Sequence, residues 1–286
     1  MVKSWTCCLS LWVLVFGLTA CAPKDGLYVK TFSNEEQLKL SNQFLAGAGL
    51  WYYQGNGAEQ NLVKTGLKHN PNHAELWREL GAPHIKRGFA AESWDYYGKT
   101  VALDPRGWQG WRGYLLLYFY RDYENAIADF NATDTLSPNF VDHPQSTSVD
   151  FMRAICYLQL GQHDEALRFL EKHIADEIKV VGEHYIDSRA FLYSGIAWFR
   201  KGDYSNAEAA FRRGLKNADG RNADLWYWTA KTALLLGHKK EATEAIEQAG
   251  LQFQRGNYHY RDYVEEFFQL YPEDIQALHT QISDQH

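Results

Sequence analysis

The chain has 286 residues, 45% of them apolar and 15% aromatic, with ten Trp and eighteen Tyr. That apolar content excludes general disorder, and the aromatic excess suits a fold that fills space between helices. A net charge of −6 opposes non-specific attraction to nucleic-acid phosphates and to anionic membrane surfaces, so no nucleic-acid partner is expected.

Residues 1–20 read as a signal peptide. Lys3 is a thin positive start, and Leu9 to Leu18 is an apolar run, shorter than the ~20 residues a membrane span needs. The tetrapeptide Leu18-Thr19-Ala20-Cys21 resembles the bacterial lipobox. That resemblance implies lipidation of Cys21 after cleavage, and two or three acyl chains make a stable anchor where one is marginal. Ala22, not Asp, follows the cysteine, which resembles sorting to the outer membrane. The expected address is therefore the bacterial cell envelope, lipid-anchored and facing the periplasm. Residues 21–33, with Pro23 and Gly26, read as anchor and tether. Twelve such residues reach at most roughly 40 Å when extended.

Helices are expected from residue 34. Ser33 and Glu36 have capping-box spacing, and Leu38, Phe44, Leu45 and Leu50 follow. Gln54 to Gly57 breaks this helix, and a return helix through Leu62, Val63 and Leu67 ends at Asn70-Pro71. The next hairpin, Ala74 to Pro105, carries Trp77, Leu80 and Gly81 on its first helix and Ser93, Tyr97 and Thr100 on its second. Pro83 inside its first helix predicts a kink or one lost backbone bond. Trp77 to Trp111 is 34 residues, as is Pro71 to Pro105. A third hairpin then runs through Asp122-Tyr123, Ala126 and Phe130 to Pro138, one residue short, with the loss expected in the helix-to-helix turn. Phe140 to Ser146 reads as a longer connection.

A fourth hairpin holds Ala154, Tyr157, Gly161, Ala166 and Leu170. Gly161 to Gly202 is 41 residues, so an insert is expected over Ala175–Tyr185, lengthening a helix or forming a loop. The fifth carries Phe191, Gly195, Trp198, Gly202, Ala207 and Phe211; the sixth carries Trp226, Ala230, Gly237, Ala242 and Ile246. Small residues at these places allow close helix approach while large ones fill the adjoining space. Spacing and residue types together resemble the tetratricopeptide repeat (TPR), a 34-residue helix–turn–helix unit. The resemblance implies an all-α, right-handed superhelical solenoid of about six hairpins over residues 34–250. Residues 251–286 are expected to cap its end with two helices, Tyr258–Leu270 and Glu273–Ile282.

No constellation for chemistry stands out. His69 and His73 are separated by Pro71, and His84, His163, His173 and His184 lack metal-ligand spacing. There is no phosphate-binding glycine loop or serine elbow. Carboxylate pairs such as Asp164-Glu165 and Glu265-Glu266 read as solvated helix faces. Cys156 reads as a buried structural thiol. No catalytic residue, metal or cofactor is expected, and the alternative reading is an enzyme or accessory domain acting on cell-wall glycan.

TPR solenoids bind peptides in a concave groove lined by first helices. By resemblance, the groove-facing residues here are Arg78, Lys86, Arg112, Tyr120, Gln159, Arg189, Tyr193, Arg200, Tyr227 and Lys231. Arg and Tyr are favoured at binding hot spots, so the expected partner is an acidic or aromatic protein segment. The paired Lys and Asn of carboxylate-clamp TPRs are replaced by Arg78 and Ala82. TPR lipoproteins of the envelope include adaptors for peptidoglycan enzymes, pilus-assembly factors and outer-membrane assembly factors, and no residue signature selects among them.

Overall fold

A computed structural model describes residues 33–284. The signal peptide, Cys21 and nearly all of the tether lie outside these residues. The described residues form thirteen α-helices and no strand. Twelve pair in sequence as six antiparallel hairpins: α1 (Asn34–Trp51) with α2 (Gly57–His69), α3 (Ala74–Lys86) with α4 (Ala90–Leu103), α5 (Pro105–Leu115) with α6 (Tyr123–Leu136), α7 (Val149–Gln159) with α8 (His163–Val180), α9 (Ser188–Arg200) with α10 (Tyr204–Asn217), and α11 (Ala223–Leu235) with α12 (Lys239–Gln254). The last helix, α13 (Pro272–Asp284), lies on α12. No helix among the described residues is long and apolar enough to cross a membrane.

Local chemistry sets the helix ends. Ser33 and Glu36 form the reciprocal capping box, which satisfies two orphan N–H groups. Asp122 accepts from Asn125 N and Asp203 from Asn206 N, capping the second helices of the third and fifth hairpins. Pro105 opens α5 while Asp104 caps it, since the first helical position needs no N–H. Gly202 turns between α9 and α10 at φ +79°, a conformation that glycine adopts without steric cost.

The axes approach where glycine faces an aromatic ring. A Cβ on Gly81 would collide with Tyr97, on Gly113 with Phe130 and on Gly195 with Phe211, all under 3.0 Å. At the matching positions of the fourth and sixth hairpins stand Ala154 with Leu170 and Ala230 with Ile246, each pair buried in one core cluster. Volume is conserved across the pair: glycine with a ring, alanine with an aliphatic chain. This follows from native interior packing density.

Four local expectations meet a more detailed outcome. Helix α3 runs through Pro83, whose ring packs against the Gly55 turn of the preceding hairpin. Counted from the glycine that meets the second helix, the first helix of the third hairpin gains a residue: Gly113 and Arg121 are eight apart, where Gly81–Gly88 and Gly195–Gly202 are seven, and the loss falls before α5, where Asp104 alone separates it from α4. The last turn there, Leu116–Tyr120, winds as a π-helix and ends on Arg121 in the left-handed region. The insert does both things expected of it. It lengthens α8 to Val180 and adds the turn Glu183–Tyr185, which Arg213 and Asn217 dock onto α10 through Glu183. Cys156 is buried, and desolvation pushes its thiol pKa up.

One expected helix is corrected. Residues 258–270 are not helical, and between Gln254 and Pro272 the chain has no regular structure. Tyr258, Tyr263, Phe267 and Phe268 have modest helix propensity, and their rings find partners on the solenoid that a helix would not let them all reach.

Candidate protein-binding groove

The segment between α12 and α13 crosses back over the first helices. Its entry is fixed by Ala223 N donating to Asn257 O at 2.7 Å. His259 N donates to Asp224 Oδ2 at 2.8 Å, and His259 Nε2 lies 3.1 Å from Asn222 Nδ2 and 3.3 Å from Ser188 Oγ. Asp224 and Asn222 sit at the start of α11 and Ser188 at the start of α9. Burial raises the Asp224 pKa, with His259 opposing.

The middle of the segment fills the groove. Glu266 is 4% exposed. Its carboxylate lies 3.4 Å from Arg189 Nη1 and 3.4 Å from Arg261 Nη2, and it accepts a hydrogen bond from Tyr193 Oη at 3.2 Å. The solvated face expected for Glu265-Glu266 is thus corrected for Glu266. A carboxylate enters such a site only when charge and hydrogen bonds replace water, and two guanidinium groups with a phenol do so here. Phe267 packs between Tyr118 and Tyr123 under the Arg121 guanidinium at 4.1 Å. Phe268 meets Tyr193 and Trp228, and Arg200 stacks over it at 4.7 Å.

The residues expected to line the groove divide into three groups. Lys86, Arg189, Tyr193 and Arg200 meet the crossing segment, Lys86 through the Tyr263 ring at 5.1 Å. Tyr227 and Lys231 stand beside it. Lys231 Nζ is 4.9 Å from the Trp228 ring and 5.7 Å from that of Tyr227. The other four are placed elsewhere. Arg78 stacks on Trp108 and Trp111 and pairs with Glu79. Arg112 grips Asp129 of α6 with two hydrogen bonds of 2.7 Å, and Tyr120 Oη bonds Ser93 and Ala90 O of α4. Gln159 is half-buried with no hydrogen-bond partner for Nε2. The short link at Asp104 shifts the register of α5, and Tyr114 and Tyr118 reach the groove in place of Arg112 and Tyr120. Arg261 stacks over the Tyr118 ring at 3.6 Å. The 33-residue spacing was the one signal of this shift.

Electrostatics distinguish the groove's cations. Burial opposes charge on Arg189, but its bond to Asp187 outweighs this and raises its pKa. Burial pushes the Tyr193 phenol well up, so it stays a hydrogen-bond donor. Arg200 has no carboxylate partner among the described residues, and desolvation lowers its pKa. Lys231 likewise meets only rings. Both therefore converge on the Phe199, Trp228 and Phe268 cluster as cations without an anion. A metal-like grouping lies elsewhere, where Glu208, His238 and Glu241 come within 4.8 Å. Arg212 already bridges its two carboxylates at 2.7 and 2.6 Å.

Two tetratricopeptide-repeat family models match, one over residues 179–222 and 195–258 and the other over 148–175. No curated protein sequence matches the chain. Among solved structures, the chain is similar to PilW, described as a widely conserved type IV pilus biogenesis factor. The TM-score is 0.62 at 16% identity, covering 84% of this chain and 98% of PilW. It is similar to the pilF protein of Pseudomonas aeruginosa at a TM-score of 0.59 and 16% identity, over 86% of this chain and 99% of that one. Cut9, from the APC/C hetero-tetramer Cut9–Hcn1, matches at 0.59 and 10% identity, over 87% of this chain and 43% of Cut9. The hairpin series, the repeat models and these neighbours together show an all-α solenoid of tetratricopeptide repeats.

Proposed function

We propose that this protein is a lipid-anchored TPR scaffold of the bacterial cell envelope. It is tethered through Cys21 to the outer membrane, facing the periplasm, and it holds a protein or peptide partner in its concave groove. The observation that carries the reading is the pair Arg200 and Lys231, two cations on an aromatic wall with no carboxylate of their own. Guanidinium and ammonium groups so placed suit an acidic or aromatic segment of another protein. Such sites serve assembly, and the role is that of an adaptor with no catalysis of its own. Pilus assembly, outer-membrane assembly and docking of peptidoglycan enzymes all need an adaptor of this kind. PilW and pilF share this fold, and the description of PilW makes pilus biogenesis the first pathway to test.

A photo-crosslinking residue placed at Tyr227, beside Lys231, in living cells tests the groove. Adducts to an envelope protein are expected, and they should fall at least tenfold with Arg200→Glu, a loss of about 1.4 kcal/mol. Undiminished adducts would move the partner site off this wall. The anchor has its own test. Cys21→Ser should shift the protein from the detergent phase to the aqueous phase on phase partitioning, and equal partitioning of both forms would end the lipoprotein reading.

A further inference from the structure

A helix pair packed like α12 and α13 closes with a loop of about two to eight residues. Seventeen residues, 255–271, lie between Gln254 and Pro272 here. The helices do not need that length. Leu278 and Ile282 of α13 already pack with Ala245, Ile246 and Ala249 of α12, and Gln254 and Pro272 line one shared surface cleft. The surplus chain is what reaches the groove. Long loops of this kind inside a compact fold are disproportionately functional.

We infer that residues 257–271 are an internal ligand of the groove, displaced by a partner segment of the same chemistry: a carboxylate followed directly by two aromatic rings. This rests on the groove being the partner site. Three contacts define what is recognised. The Glu266 carboxylate takes the Arg189 and Tyr193 position, Phe267 takes the Tyr118–Tyr123 slot, and Phe268 takes the Tyr193–Trp228 slot. These are groups a second chain could present equally well.

The segment is held without a backbone ladder. Past Asn257, whose carbonyl accepts from Ala223 N, the solenoid catches its main chain by side chains, Asp224 at His259 N and Arg121 at Glu265 O, while the segment's own Gln269 donates to His259 O. Two non-glycine residues, Tyr263 at φ +70° and Phe268 at φ +56°, occupy the left-handed region, which costs an aromatic residue conformational energy. Its outer side stays open to solvent, with Tyr260 68% and Tyr263 62% exposed. Arg200, over Phe268, lacks an acid, so an incoming segment with one further carboxylate gains a contact the internal one does not make. Strained, side-chain-pinned and tethered at both ends, the segment can leave while α13 stays docked. A site held closed by its own chain binds a competitor more weakly by the fraction of time it is open.

The test uses the full chain and a fluorescent peptide reproducing residues 258–271. A strap variant combines Glu266→Ala, Phe267→Ala and Phe268→Ala. Anisotropy should show the peptide binding this variant at least tenfold more tightly than the wild type, and a scrambled peptide binding neither. Equal affinity for both proteins, or no binding to either, overturns the inference. Crosslinks through the Tyr227 position should also rise in the strap variant. If they form equally in both proteins, the strap does not compete and the inference fails while the groove remains a partner site. If the peptide binds but no envelope protein crosslinks in either form, the partner reading of the groove fails instead. Hydrogen exchange on the wild type needs no variant. Strap amides should exchange at least a hundredfold faster than those of α9 and α10, and equal protection overturns the inference.

Discussion

Gly195→Trp is expected to be severely destabilising and to act locally. A single Cβ at this position already collides with the Phe211 ring, and both Phe211 and Ala207 are fully buried. Overpacking typically costs about 1–3 kcal/mol, and an indole set against a ring should reach or exceed the top of that range. Solenoid stability is close to a sum of repeat and neighbour terms, so the loss should centre on α9 and α10 and their neighbours. Hydrogen exchange would read this directly: protection should collapse across α7 to α12 while α1 to α4 keep theirs. Uniform loss from α1 to α13 would contradict a modular fold.

The volume rule adds a sharper form of the same prediction. Gly195→Ala alone should destabilise, and Gly195→Ala with Phe211→Leu should recover part of the loss. The double variant recreates the alanine–aliphatic pairing that Ala154 with Leu170 and Ala230 with Ile246 already show. The interaction energy from the cycle should favour the pair by about 0.5–3 kcal/mol. Simple additivity of the two changes would refute volume conservation as the reason for glycine here.

Arg153→Met is expected to cost about 1.5–3 kcal/mol, the range for hydrogen bonds to a charged group. Arg153 is 3% exposed. It donates to Asp150 at 2.9 Å and to Phe130 O at 2.7 Å, reaches Asp134 at 3.0 Å and lies over the Phe169 ring at 4.8 Å. Asp134 is mostly solvated, so that bond contributes little. The cost comes mainly from Asp150, which is left with Lys172 alone, since Phe130 O keeps the hydrogen bond from Thr133 Oγ1. The residue ties α7 to α6 and α8 across the irregular connection 139–147, where the repeat register breaks. Its loss should therefore uncouple the first three hairpins from the rest. Thermal unfolding should become broader or split into two transitions. A single sharp transition at an unchanged midpoint would rule out this role.

Much of the fold was legible in the sequence because a TPR is local. Each hairpin packs mainly on itself and its two neighbours, so residue type at fixed spacing determines the element, its partner and its core. Trp77, Trp111, Phe191 and Trp226, with Gly81, Gly195 and Ala207, marked four of the six hairpins that the structure contains. The capping box at Ser33 and the stops at Asp104-Pro105 depend on two or three adjacent residues and were equally readable. Four of ten groove residues, Lys86, Arg189, Tyr193 and Arg200, meet the crossing segment because a helix face follows directly from its register.

What tertiary structure decided lies where register fails or where contacts are far apart in sequence. A short α4–α5 link shifted the register of α5 and a π-turn took up the extra residue at its end, so Tyr118 lies in the groove and Arg112 on Asp129. No spacing rule says which side of a helix absorbs such a loss. Residues 258–270 look helical by apolar pattern alone, but Glu266 finds Arg189 and Tyr193 more than seventy residues away, and Phe267 finds Tyr118 at a still greater separation. The sequence by itself determined a stack of helical hairpins and the chemistry on their faces. Only the assembled solenoid, by bringing its first helices alongside one another, formed the concave surface that the chain's own acidic and aromatic segment then fills.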